Sequence, residues 1–145
     1  MPKPRVRSRT EAVRATARLV PGTLRNDVLI RDSFVLETDE PESVGGEDTA
    51  PTPHELLAAS LASCVSTTIA MYARTKGWEI GDALVEVEYD QHATPRQFRV
   101  DIRLDGDYDA GQIARLERAA ATCPVRRSLE AGFAIEEHVH ASARV

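Results

Sequence analysis

Hydrophobic positions run along this chain with two periods, one helical and one alternating. The longest uncharged stretch, Leu56–Ala73, is bracketed by helix punctuation. Thr52 is an N-cap residue type, Pro53 suits the first helical position, and Glu55 stands three residues after the cap. Arg74 and Lys76 fall in the last turn, and Gly77 follows it. The pattern predicts a single helix over about 52–77, roughly 37 Å long at about 1.5 Å per residue. An uncharged helix of that length needs cover on all sides, which predicts a place at the centre of the fold.

Alternation of period two predicts the strands. Glu11–Val20 alternates weakly, and Pro21-Gly22 then signals a turn. Arg25–Ile30 and Ser33–Thr38 read as a hairpin turned about Arg31-Asp32. Ala83–Tyr89 and Gln97–Leu104 alternate cleanly, with Val85, Val87, Phe98, Val100 and Ile102 on one face and Glu and Arg on the other. They predict a second hairpin whose wet face pairs charges across strands. Asp109–Ala121 is helical with Asp109 as cap, Pro124–Ala131 is a short helix ended by Gly132, and Phe133–Val139 returns to alternation. The acidic stretch Asp39–Pro51 is a loop longer than ordinary connections. Strands, a buried helix, more strands and then helices make an α+β order, not a βαβ series.

Composition narrows the class. The chain has 145 residues and is 42% hydrophobic, enough for one core. We expect a flexible basic arm over 1–10, carrying Lys3, Arg5, Arg7 and Arg9, and a single domain over 11–145. A net charge of −5 argues against nucleic acid as a partner. No apolar run follows the basic start, so no secretory signal is expected. A membrane span is not expected either: five residues of Leu56–Ala73 are Ser or Thr and five are Ala. These features predict a cytoplasmic protein, where two cysteines serve redox or catalytic chemistry more often than structural bridging.

The cysteines are Cys64, inside the long helix, and Cys123, just before Pro124. A reactive cysteine needs a lowered pKa from positive charge or a helix N-terminus. Cys64 has neither within its own helix, so two readings stand: a small core residue, or a thiol activated by an Arg from elsewhere. Cys123 falls at an N-cap with Arg126 and Arg127 following, a setting that favours an anion. Glu55 reads as half of a capping box with Thr52. His54 is either plain surface or a base over a pocket between the long loop and the helix. No C-x-x-C occurs, and His54, His92, His138 and His140 lack zinc spacing with the cysteines, so no metal is expected.

The segments APTPHELLAASLASCVSTTIAMYARTKGW and CPVRRSLEAG resemble the two cysteine motifs of the OsmC/Ohr family of thiol peroxidases. DEPESVGG before the helix and Gly106-Asp-Tyr-Asp109 before the next one fit as well. The similarity spans about 25–139 and is closer to the broad OsmC-like branch. The resemblance implies an intertwined α+β homodimer with active sites near the subunit interface and no cofactor. It implies that Cys64 is the peroxidatic thiol, that Cys123 resolves it through a Cys64–Cys123 disulfide, and that a dithiol reductant, lipoyl-type or a small thiol, resets the pair. The expected substrate is an organic hydroperoxide or hydrogen peroxide.

One departure matters. The family's activating Glu directly follows the motif Pro, whereas here that position is His54 and Glu55 comes one later. One residue turns a helical side chain by about 100°. The activating Arg is expected from the N-terminal sheet, Arg25 first and Arg31 second. The altered acid keeps an alternative open: a non-peroxidatic dimer that binds a small hydrophobic or thiol-reactive ligand near Cys64.

Overall fold

A computed structural model describes residues 12–142. The basic arm and Glu11 lie outside the described residues. The chain forms two compact units, one ending at Ala58 and the other beginning at Ala59.

The N-terminal unit is a three-stranded antiparallel sheet, β1 Ala15–Leu19, β2 Asn26–Ile30 and β3 Phe34–Thr38, in the order β1-β2-β3. The β2–β3 turn falls at Arg31-Asp32, as the sequence predicts. Both residues take φ of 53°, and the Ser33 amide donates to the Ile30 carbonyl at 3.1 Å. Paired left-handed residues give a turn the twist that hairpins favour.

The acidic loop after β3 is ordered by one side chain that the sequence reading missed. Asp39 is 1% exposed. Its carboxylate accepts from the amides of Glu40 (2.8 Å), Thr49 (3.1 Å) and Glu47 (3.3 Å) and from the Thr49 hydroxyl (2.9 Å). A short 3-10 turn, Glu42–Val44, lies inside this knot. Gly46 closes it, because a Cβ there would overlap the Glu40 carbonyl. The unit ends in the second turn of α1, at Ala58.

Helix α1 runs Pro53–Lys76. Its buried stripe in the C-terminal unit is Leu61, Val65, Ile69 and Ala73, a residue every four along one face. This stripe packs with Leu116, Ala120 and Cys123, and around them lie Val85, Val87, Phe98, Val100, Ile102 and Leu104. Those six side chains come from one face of the antiparallel pair β4 Ala83–Asp90 and β5 Gln97–Leu104. Burying each large aliphatic side chain contributes about 1.5–3 kcal/mol. The wet face carries the expected pairs, Arg99–Glu88 and Arg103–Glu86, both at 3.3 Å and both exposed. Helix α2, Ala110–Ala121, starts with an Asp109–Gln112 capping box, and α3 runs Pro124–Ala131.

Two expectations need correction. Helix α1 is not covered on all sides by its own chain. Ser63, Thr67, Ala70 and Met71 are exposed, Met71 at 64%. Only one stripe of four is fully buried among the described residues. By length and composition alone the helix could also cross a membrane. Phe133–Val139 does not form a strand. Phe133, Ile135 and Val139 are 70%, 86% and 87% exposed, since alternation yields a strand only where a neighbouring strand supplies a ladder.

Burial by itself pushes the Asp39 carboxyl up, but its hydrogen bonds to Thr49, Glu40 and Glu47 outweigh this and hold it below its ordinary value. A depressed folded pKa adds stability above about pH 4, and that stability is lost as pH falls through the folded value. The wild-type Tm should therefore drop more steeply below about pH 4 than that of Asp39→Asn. Amide exchange at Glu47 and Thr49 should accelerate in the variant at neutral pH. Equal acid slopes for the two proteins would remove Asp39 as the tether.

Candidate functional site: a thiol pair

Cys64 sits in the middle of α1, beside the buried stripe, and is half-buried. Its carbonyl accepts from the Thr68 hydroxyl at 2.8 Å. Cys123 lies between α2 and α3. Pro124 denies it helical geometry, so it stands as the N-cap of α3 with φ −48° and ψ 124°. It is fully buried, and both cysteines are free thiols. Packing α1 against α2 sets Cys64 against the core cluster that holds Cys123, although 59 residues separate them in sequence.

The electrostatics of Cys123 differ from the N-cap expectation. Burial is the largest influence and raises its pKa, and the contact with the Cys64 thiol raises it further. The Arg126 and Val125 amides at the start of α3 pull the other way and lose. Burial thus favours the protonated form of Cys123.

The other expected site residues lie in the N-terminal unit. Arg25 precedes β2, its carbonyl accepts from the Val20 amide at 2.9 Å, and its own amide donates to the Thr23 hydroxyl at 3.0 Å. Its Nε is buried with no hydrogen-bond partner. The Arg31 guanidinium lies 4.8 Å from the centre of the Phe34 ring. His54 and Glu55 occupy the first turn of α1 and are exposed. Glu55 is engaged as its spacing predicts: its carboxylate accepts from the Thr52 amide at 2.8 Å, and its amide donates to the Thr52 hydroxyl at 3.2 Å.

A cleft of about 460 Å³ opens within the C-terminal unit, lined by Val65 and Ile69 of α1, Val100 and Ile102 of β5, Leu116 of α2 and Arg126 of α3. Neither sulfur lines it. Sequence reasoning missed this cleft, because its walls are ordinary core residues that only packing sets apart.

The α+β frame thus carries a half-buried cysteine on its central helix and a buried cysteine at the junction of the next two helices. A family model for OsmC-like proteins matches residues 45–138, and the chain belongs to that family. The fold is similar to a Psychrobacter arcticus 273-4 protein provisionally described as osmotic stress induced and part of a detoxification response. The two are 28% identical, with a TM-score of 0.67 over 83% of this chain and 88% of that one. It is also similar to an organic hydroperoxide resistance protein OsmC from Legionella pneumophila, at 24% identity and TM-score 0.62 over 83% and 90% of the two chains. The organic hydroperoxide resistance protein OhrB of Bacillus subtilis matches at 21% identity and TM-score 0.53 over 81% and 89%. No curated protein matches in sequence.

The capping box makes a prediction about Glu55. Glu55→Ala should cost about 0.5–1 kcal/mol of stability, while Glu55→Gln keeps both hydrogen bonds and should cost little. If Glu55 acts only as a cap, neither change alters the rate at which Cys64 reacts with peroxide. A large rate loss in Glu55→Gln with unchanged Tm would assign it a chemical role instead.

Proposed function

We propose that this chain is a thiol-dependent peroxidase that reduces organic hydroperoxides, with hydrogen peroxide as a second substrate. The observation that carries the reading is that Cys64 packs against the core cluster that holds Cys123. Membership of a family that includes organic hydroperoxide resistance proteins supports it.

The steps balance as follows. The Cys64 thiolate attacks one peroxide oxygen and the O–O bond breaks. The sulfur becomes a sulfenic acid, and the alkoxide leaves as an alcohol after taking a proton. The Cys123 thiol then attacks the sulfenic sulfur, water departs, and a Cys64–Cys123 disulfide forms. A dithiol, lipoyl-type or a small thiol, attacks that disulfide and is itself oxidised to a disulfide, returning both cysteines to thiols. A Cys123 that stays protonated suits this order, since it does not compete with Cys64 for the peroxide. Arg25 is the proposed activating cation, supported by a buried Nε that lacks a partner; Arg31 is second, because its guanidinium already lies over Phe34.

One equivalent of cumene hydroperoxide should consume both thiols of the reduced protein within seconds, and a dithiol should restore them. Cys64→Ser should abolish the reaction. Cys123→Ser should stop at a sulfenic acid that dimedone traps. Arg25→Ala should slow thiol loss by roughly tenfold or more at unchanged Tm, as expected on removing the cation that activates the attacking thiol. Thiols that persist for minutes in the wild type would sink the peroxidase reading. They would favour the second one, a protein that binds a small hydrophobic or thiol-reactive ligand near Cys64. The feature that favours this second reading is Glu55, whose carboxylate is occupied at the Thr52 amide.

We also infer a homodimer. The exposed face of α1 around Met71 and the exposed Phe133, Ile135 and Val139 are the surfaces a second copy would cover. Sedimentation equilibrium should give twice the chain mass at micromolar concentration. Replacing Phe133 and Ile135 by Ser should shift the mass toward one copy, and a wild type that sediments as a monomer would overturn this part of the reading.

A further inference from the structure

The cleft of about 460 Å³ in the C-terminal unit carries a charge that its apolar walls do not need. Ile113, Leu116, Glu117 and Ala120 of α2 line it, at the i, i+3, i+4, i+7 spacing of one helix face. Three of the four are apolar and the fourth is a carboxylate. Val100 and Ile102 of β5 form a second wall, and Val65 and Ile69 of α1 complete it. Parts of these walls stay wet. Ile113 is 38% exposed, and Val100 and Ile102 are only half-buried.

Glu117 is exposed and makes no ion pair among the described residues. Its own helix offers no counter-charge, because Ile113, Ala114, Ala120 and Ala121 stand three and four residues away. Arg115 and Arg118 line a different groove, beside Tyr72. From α3, Arg126 lines the cleft, but its Nε is bound to Glu130 at 2.6 Å on the same helix. From β5, Asp101 adds a second acid at the lip. It lies in register with Glu86, and the neighbouring Arg99 and Arg103 are paired with Glu88 and Glu86. Helix α1 brings no charge between Leu56 and Ala73. The lip is therefore acidic, with Arg99, Arg103 and Arg126 already engaged.

We propose that this cleft binds a primary alkylammonium ion, its hydrocarbon chain along Ile113, Leu116 and Ile102 and its headgroup at Glu117. The site is separate from the thiols, neither of which lines the cleft. It is also separate from the face of α1 around Met71, since two residues turn a helix by about 200° between Ile69 and Met71. The volume fits a small ligand, for which sites of roughly 300–1,000 Å³ are usual. A carboxylate ligand would meet repulsion from Glu117 and Asp101, and an uncharged one would gain only the burial of its chain. An ammonium ion gains both burial and attraction.

The test uses the full-length reduced protein without peroxide, so its outcome stands apart from the redox reading. Octylammonium, octanol and octanoate share one chain and differ in the charge of the headgroup. Calorimetry should show octylammonium binding at one site per chain, with octanol weaker and octanoate weakest. Heptylammonium should bind up to about fourfold more weakly than octylammonium, the effect of one buried methylene. Glu117→Gln should weaken octylammonium about twofold to fivefold, the range of an exposed ion pair, and leave octanol unchanged. That split separates lost charge from lost fold. Ile113→Ser should weaken octylammonium and octanol alike, and Met71→Ser should change neither. Equal binding of octylammonium and octanoate, an unchanged affinity in Glu117→Gln, many weak sites in place of one, or no binding at all would each overturn the proposal. So would an affinity that falls as protein concentration rises, the mark of a cleft covered by a second copy.

Discussion

Cys64 lies against the cluster that holds Cys123 because Leu61, Val65 and Ile69 must leave water. These side chains have nowhere to go within their own helix. They pack onto Leu116 and Ala120 of α2 and onto the apolar face of β4 and β5, and this packing sets how α1 and α2 approach. Cys64 rides on that face, and Cys123 follows directly from α2. A change at Val65 or Leu116 would thus reach the sulfur chemistry through helix position, with no contact to a substrate.

The same burial explains why the two thiols are unlike. Cys123 lies inside the packed cluster, where desolvation of its thiolate outweighs the pull of the α3 amides. Cys64 is only half-buried. A helix N-terminus favours an anion only while solvent or a counter-charge helps to hold it, and burial at the end of α2 removes the solvent. The proposed roles of attacker and resolver rest on this difference in burial.

Helix α1 also joins two kinds of surface. Its buried stripe builds the core, and its small-residue face is left open by a single copy. One uncharged helix carries both because Ser and Thr satisfy their hydroxyls on the helix itself, as Thr68 and Thr75 do. Such residues keep a helix free of charge without making every face a hydrophobic one.

Much was legible in the sequence because its causes are local. The ends of α1 follow from Thr52, Pro53, Glu55 and Gly77, and those of α2 and α3 from Asp109, Pro124 and Gly132. The β4–β5 pair follows from an alternation that leaves only one face able to be buried. Both cysteine motifs could be read as well, since each sits in a run of residues with its own helix signals. Tertiary structure decided what depends on distant groups. Asp39 looked like one acid among several in a loop, and only the folded chain turns Glu47 and Thr49 amides toward it. The pKa of Cys123 depends on what buries it. Phe133–Val139 alternates like a strand yet stays unpaired, because hydrogen bonding between strands belongs to a pair and one segment carries only half of it.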